Sequence, residues 1–142
     1  MMSRYRSKTL ATWLALLSGP LGGHRLYVQG FGDWLAWLHL APTAAGLWGV
    51  QRMRDHGQDD RLAWLLIPLL GLMISQAMLV AMVWGLMPDE TWDARINPGQ
   101  PSRPTRWAPI LGVVLALLTG STVLMGTIAY SGQRFFEWQL NR

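Results

Sequence analysis

Residues 62–87, LAWLLIPLLGLMISQAMLVAMVWGLM, hold no Asp, Glu, Lys or Arg. A helix of about 20 apolar residues crosses the ~30 Å hydrocarbon core of a bilayer, so this stretch reads as a membrane span. Residues 107–131 form a second charge-free run. Two shorter apolar segments precede them, at residues 9–21 and 34–50. Polar stretches at 22–33, 51–61 and 88–106 separate the four.

The composition agrees with this pattern. Of 142 residues, 51% are hydrophobic and only 14% are charged, where a soluble domain carries about 25%. Cysteine is absent, which excludes disulfides, thiolate metal sites and thiol nucleophiles. The net charge of +4 comes from basic residues at segment edges. That placement fits anionic lipid and fixed orientation and not nucleic acid. Nine tryptophans, mostly near segment ends, read in part as aromatic belts at the headgroup level.

Arg4, Arg6 and Lys8 ahead of apolar residues 9–17 have the outline of a signal peptide. Residues 18–23, Ser-Gly-Pro-Leu-Gly-Gly, are a poor cleavage context, so the segment is expected to be retained. At 1.5 Å per residue the first segment is only about 20 Å long, too short to span alone. A short helical elbow is therefore expected between residues 22 and 33. The predicted helices cover 6–18, 34–54, 61–87 and 106–131. The fold expected is all-α: an integral membrane protein of four transmembrane segments arranged as two hairpins. The first unit covers 1–58, and the second covers 59–142 with a Pro-rich loop at 88–106 and a short aromatic tail. Placing both termini in the cytoplasm puts eight Lys and Arg inside and four outside, as the positive-inside rule favours. Arginine outnumbers lysine by 11 to 1, which points to a bacterial inner membrane.

Small residues recur every fourth position in each segment: Ala11, Ala15 and Gly19; Ala41, Ala45 and Gly49; Ala77, Ala81 and Gly85; Gly112, Ala116 and Gly120. Such faces let helices approach closely in lipid, where no hydrophobic force drives them together. Ser75 and Gln76, with Thr119, Ser121 and Thr122, are the polar groups at mid-span. They are expected to bond between helices, and Ser75, Gln76, Thr119 and Thr122 are the only candidates for a pore stripe. His39, in the second segment, is the ionisable group that comes closest to a span and reads as a packed or interfacial histidine; no Ser-His or paired-aspartate arrangement stands out, so neither proton pumping nor intramembrane hydrolysis is indicated. Catalytic, cofactor and metal residues are all expected to be absent.

The compact motif is Gly22-Gly23-His24-Arg25-Leu26-Tyr27, a glycine-hinged turn carrying an imidazole, a guanidinium and a phenol. Arg25 is expected to reach lipid phosphates or the carbonyls freed where the first helix ends, clamping the turn. With Lys8, the apolar residues 10–17, Gly19-Pro20-Leu21, Gly30 and Gly46-Leu47-Trp48, the motif resembles the TM2 domain over about residues 8–55. Leu26 stands where that family usually has Phe. The resemblance implies a two-helix membrane hairpin without established enzymatic activity, and it assigns no catalytic residue. The residues it marks are Gly19, Gly22, Gly23, His24, Arg25 and Tyr27, in a structural or interaction role.

The function expected is that of a small structural or accessory membrane protein, binding other membrane components through the small-residue faces. Its partners are then the bilayer and a membrane protein or a second copy, with no nucleic acid, metal or cofactor. The alternative is a small channel or transporter subunit acting as an oligomer.

Overall fold

The computed structural model describes residues 4–142, and among these there are helices and no strands. Seven α-helices run α1 Lys8–Ser18, α2 Gly23–Gln29, α3 Trp34–Leu38, α4 Leu40–His56, α5 Arg61–Leu86, α6 Asp89–Ile96 and α7 Ala108–Leu140. A single 3₁₀ turn, Gly19–Leu21, joins α1 to α2.

Helix α5 is the centre. Asp60 caps it by accepting the Leu62 N–H at 3.1 Å. It stops at Met87, whose extended backbone (ψ 133°) is what the following Pro88 imposes. Helices α4, α1 and α7 all pack on α5, so the two halves of the chain share one interior. That interior is made of small residues and one methionine: Ala15, Ala77, Met78, Ala81 and Ala116 are buried together.

Two helices, α5 and α7, are long and apolar enough to cross a membrane, by length and composition. Four such segments were expected, and the difference has local causes. Helix α1 has 11 residues, about 16 Å, and then turns back. The second segment is split at His39, because Pro42 has no N–H to offer the Leu38 carbonyl one turn earlier. The fourth segment is α7, one of the two that qualify, and it runs further than its apolar stretch, through the aromatic tail to Leu140.

The fold-back is set by contacts at its two ends. At the start, the Lys8 ammonium donates to the Met87 carbonyl at 2.8 Å and sits 2.5 Å from Asp89. At the inner end, Gly19 lies so close to mid-α5 that a Cβ on it would fall 2.3 Å from the Ala77 Cβ. The chain then reverses through Gly22 (φ 78°). Helix α2 returns to the level it left, where the Tyr27 hydroxyl accepts the Ser7 N–H at 2.8 Å and the Val28 carbonyl accepts from Arg6.

From there α3 and α4 traverse the bundle antiparallel to α5. Gly46 meets Leu70, Gly49 meets Leu66, and Arg52 meets Asp60. Helix α7 is also antiparallel to α5, with Gly85 against Val113, Met78 against Gly120 and Gly71 against Thr127. The described chain therefore begins and ends at opposite ends of the α5–α7 pair. This corrects the expectation that both termini share one side. That expectation counted the first segment as a crossing, and the segment leaves by the end it entered.

Candidate functional site

The end of the bundle that holds Lys8 carries two groups of polar side chains. The first is a clasp between residues 4–7, which precede α1, and the segment from α6 through the Pro-rich loop. Asp93 is its hub. It accepts from the Tyr5 hydroxyl at 2.8 Å, the Asn97 amide at 2.9 Å, the Ser102 hydroxyl at 2.8 Å and the Arg103 N–H at 3.1 Å. Burial pushes the Asp93 carboxyl up, but these donors outweigh burial and hold it below its ordinary value. Burial, with the bond to Asp93, pushes the Tyr5 phenol up to about 12. Asn97 accepts the Arg6 N–H at 2.8 Å and donates to the Arg6 carbonyl at 3.1 Å, and Trp92 donates to the same carbonyl at 2.9 Å. Asp89 is the first residue of α6. Its carboxylate accepts both the N–H and the hydroxyl of Thr105, at 2.7 and 2.5 Å, beside the Lys8 ammonium.

The second group is the glycine-hinged turn. His24 is 1% exposed, the most buried imidazole, and its Nδ1 has no partner among the described residues. Its ring stands edge-on to Trp84 at 5.4 Å and to His39 at 5.7 Å, and Trp84 continues to Trp92 at 5.6 Å. This aromatic ladder joins the fold-back to α5 and α6. No group of three or more His, Cys, Asp or Glu placed to hold a metal occurs among the described residues.

Arg25 does not reach the carbonyls near Gly19. Its Nε donates to Asp33 at 2.7 Å and its NH2 group to Gln29 at 2.8 Å. Asp33 also caps α3 by accepting the Leu35 N–H at 3.2 Å. The bond from Arg25 comes first among the causes that hold the Asp33 carboxyl below its ordinary value.

The same device recurs at the other end of the bundle. Arg52 donates through Nε to Asp60 at 2.7 Å while Asp60 caps α5. In both turns the preceding helix closes on a glycine of positive φ, Gly30 and Gly57, each at 89°. In both, a tryptophan indole donates back to a loop carbonyl: Trp37 to Phe31 at 2.9 Å and Trp64 to Gln58 at 2.6 Å. The sequence carries this twice, as Arg-x4-Gly-x2-Asp-x-Leu-Ala-Trp-Leu from Arg25 and again from Arg52. Hydropathy reading passed over it, since the shared positions straddle a polar loop and an apolar helix. A self-comparison of the chain would have found it.

The small-residue positions divide. Ala11, Ala15, Gly19, Ala77, Ala81, Gly85, Gly112, Ala116 and Gly120 are all buried, with Gly85 and Gly112 both meeting Thr12. On α4 the buried face is Thr43, Gly46 and Gly49; Ala41 is exposed and Ala45 half-buried. Helix α4 therefore meets α5 at a spacing of three, and Thr43 donates to the Pro20 carbonyl at 2.6 Å. Of the polar mid-helix residues, Gln76, Thr119, Ser121 and Thr122 lie on the outside. Ser75 is turned onto the Gly71 carbonyl at 2.8 Å. They share no interior path.

No family model, no curated protein and no solved structure matches the chain.

Proposed function

We propose that this is a small integral membrane protein of structural or accessory type, without a catalytic activity of its own. The supporting observation is where the apolar surface points. In the most apolar stretches of α5 and α7, only 17% and 28% of residues are buried. Leu65 is 73% exposed, Met125 71% and Ile128 63%. A core helix of a soluble protein hides such residues, and a monomer in water rarely shows contiguous apolar patches beyond a few hundred Å². Lipid accepts this surface without penalty. The charged groups gather at the two ends of the bundle, as a bilayer requires, and Lys8, Arg25, Arg52 and Arg134 are each paired with a carboxylate there.

On this reading the TM2-like turn builds a hairpin that enters the bilayer and leaves by the same face. The Lys8 end carries seven Lys and Arg against five at the other, so it is placed in the cytoplasm of a bacterial cell. Small residues on α1, α5 and most of α7 are spent on internal packing. A membrane partner or second copy would meet the uncovered positions, Ala41 and Ala44 on α4 or Gly126 on α7. Extraction of membranes with alkaline carbonate tests the proposal: the protein should remain in the pellet and be released only by detergent. Release into the supernatant would refute it.

A further inference from the structure

Between α5 and α7, at the end of the bundle opposite Lys8, lies an open cleft of about 620 Å³. That is within the roughly 300–1,000 Å³ of small-molecule sites. Trp64, Pro68, Phe135 and Trp138 form its apolar walls, and Arg61 and Arg134 stand among them. We infer that this cleft binds one anionic phospholipid, its phosphate at the two arginines and an acyl chain along Leu65 and Pro68. The inference rests on the membrane reading above.

The order of the walls supports it. Arg61 opens α5 and Pro68 lies seven residues further in, about 10 Å along the axis. Along the α5 wall the cleft thus grades from charge through indole to aliphatic carbon, with Arg134 of α7 level with the indole, as a lipid grades from headgroup to chain. Charge complementarity fixes the sign of the headgroup. Arg134 is partly neutralised, donating to Glu137 at 2.6 Å. Its guanidinium lies 5.1 Å from the centre of the Trp64 ring, and its Nε is buried without a partner among the described residues. Arg61 is exposed and has no partner among the described residues. Among the described residues the cleft is lined by two guanidiniums and no carboxylate, and only Arg134 is paired, with Glu137, which leaves a site that favours an anion over a zwitterion. The apolar walls distinguish a lipid from a free phosphate.

The test is native mass spectrometry with thermal unfolding of the detergent-purified protein, after adding phosphatidylglycerol, phosphatidylcholine or inorganic phosphate. Phosphatidylglycerol should be retained and raise the melting temperature. Arg61→Gln should weaken that binding roughly fivefold, the factor about one basic residue contributes beside an anionic surface. Ser131→Phe, which fills the apolar part of the cleft, should abolish it while the variant still melts cooperatively. Equal effects of the two lipids, an equal effect of phosphate alone, or unchanged selectivity in both variants would overturn the proposal. Carbonate extraction of the same membranes separates the two failures. A pelleted protein without headgroup preference overturns the lipid site alone, and a released protein overturns the membrane reading with it.

Discussion

The Nε of Arg25 lies 2.7 Å from Oδ2 of Asp33, and 27 residues later the Nε of Arg52 lies 2.7 Å from Oδ2 of Asp60. Each aspartate ties the end of one helix to the start of the next, so one turn design closes the bundle at both ends. Asp60→Ala removes a helix cap and the arginine's partner together and should lower the melting temperature in detergent by roughly 2–4 °C. Arg25→Lys keeps a charge but loses the planar fork that serves Asp33 and Gln29 at once. It should fall between the wild type and Arg25→Ala. If both Arg25 variants melt like the wild type, the turn does not depend on this pair.

Glycine marks where backbones touch. Gly22 has φ 78°, and a Cβ there would lie 2.3 Å from the Ala36 carbonyl oxygen. Gly22→Ala should cost about 2–5 kcal/mol, the sum of a left-handed residue and an overpacked contact. Gly126→Ala meets open space in mid-helix and should be neutral or slightly stabilising. Equal unfolding midpoints for the two variants would contradict the fold-back geometry.

Acid should loosen the clasp at the Lys8 end. The Asp93 carboxyl is held below the ordinary value of 3.8 in the folded protein. Its contribution is therefore complete above that value and disappears as the pH falls through the lower folded one. Asp93→Asn replaces an acceptor of four bonds with an amide that must also donate. It should melt roughly 4–10 °C lower at pH 7, from buried donors left unpaired. The gap to the wild type should narrow below about pH 3.8. A gap that stays constant from pH 7 to pH 3 would mean that the Asp93 charge contributes nothing.

The long helices were legible because length and hydropathy are properties of one segment. Charge-free residues 62–87 anticipate α5 (Arg61–Leu86) to within a residue at each end, with Asp60 before and Pro88 after as the local signals. The direction of the first segment was not legible. Whether residues 9–21 cross or return depends on Lys8 meeting Asp89, 81 positions away, and on Gly19 seating against Ala77. Neither contact has a signature in the local sequence. The α4 face was misread for a related reason. Small residues at four-residue spacing and at three-residue spacing coexist there, and only the partner helix selects Thr43, Gly46 and Gly49. Arg25 was given the wrong partner: it meets Asp33 and Gln29 and not the carbonyls near Gly19, since its carboxylate stands beyond Gly30 in the next helix cap.

The path of the chain through the bundle is tested most directly by sidedness. The protein has no cysteine, so each introduced thiol is the only one. Arg4→Cys, Pro101→Cys, Gln58→Cys and Gln139→Cys would be labelled with a membrane-impermeant maleimide in sealed vesicles of known orientation. The structure predicts that positions 4 and 101 react from one side and 58 and 139 from the other. If positions 4 and 139 react from the same side, the first segment crosses the membrane and the fold-back is wrong.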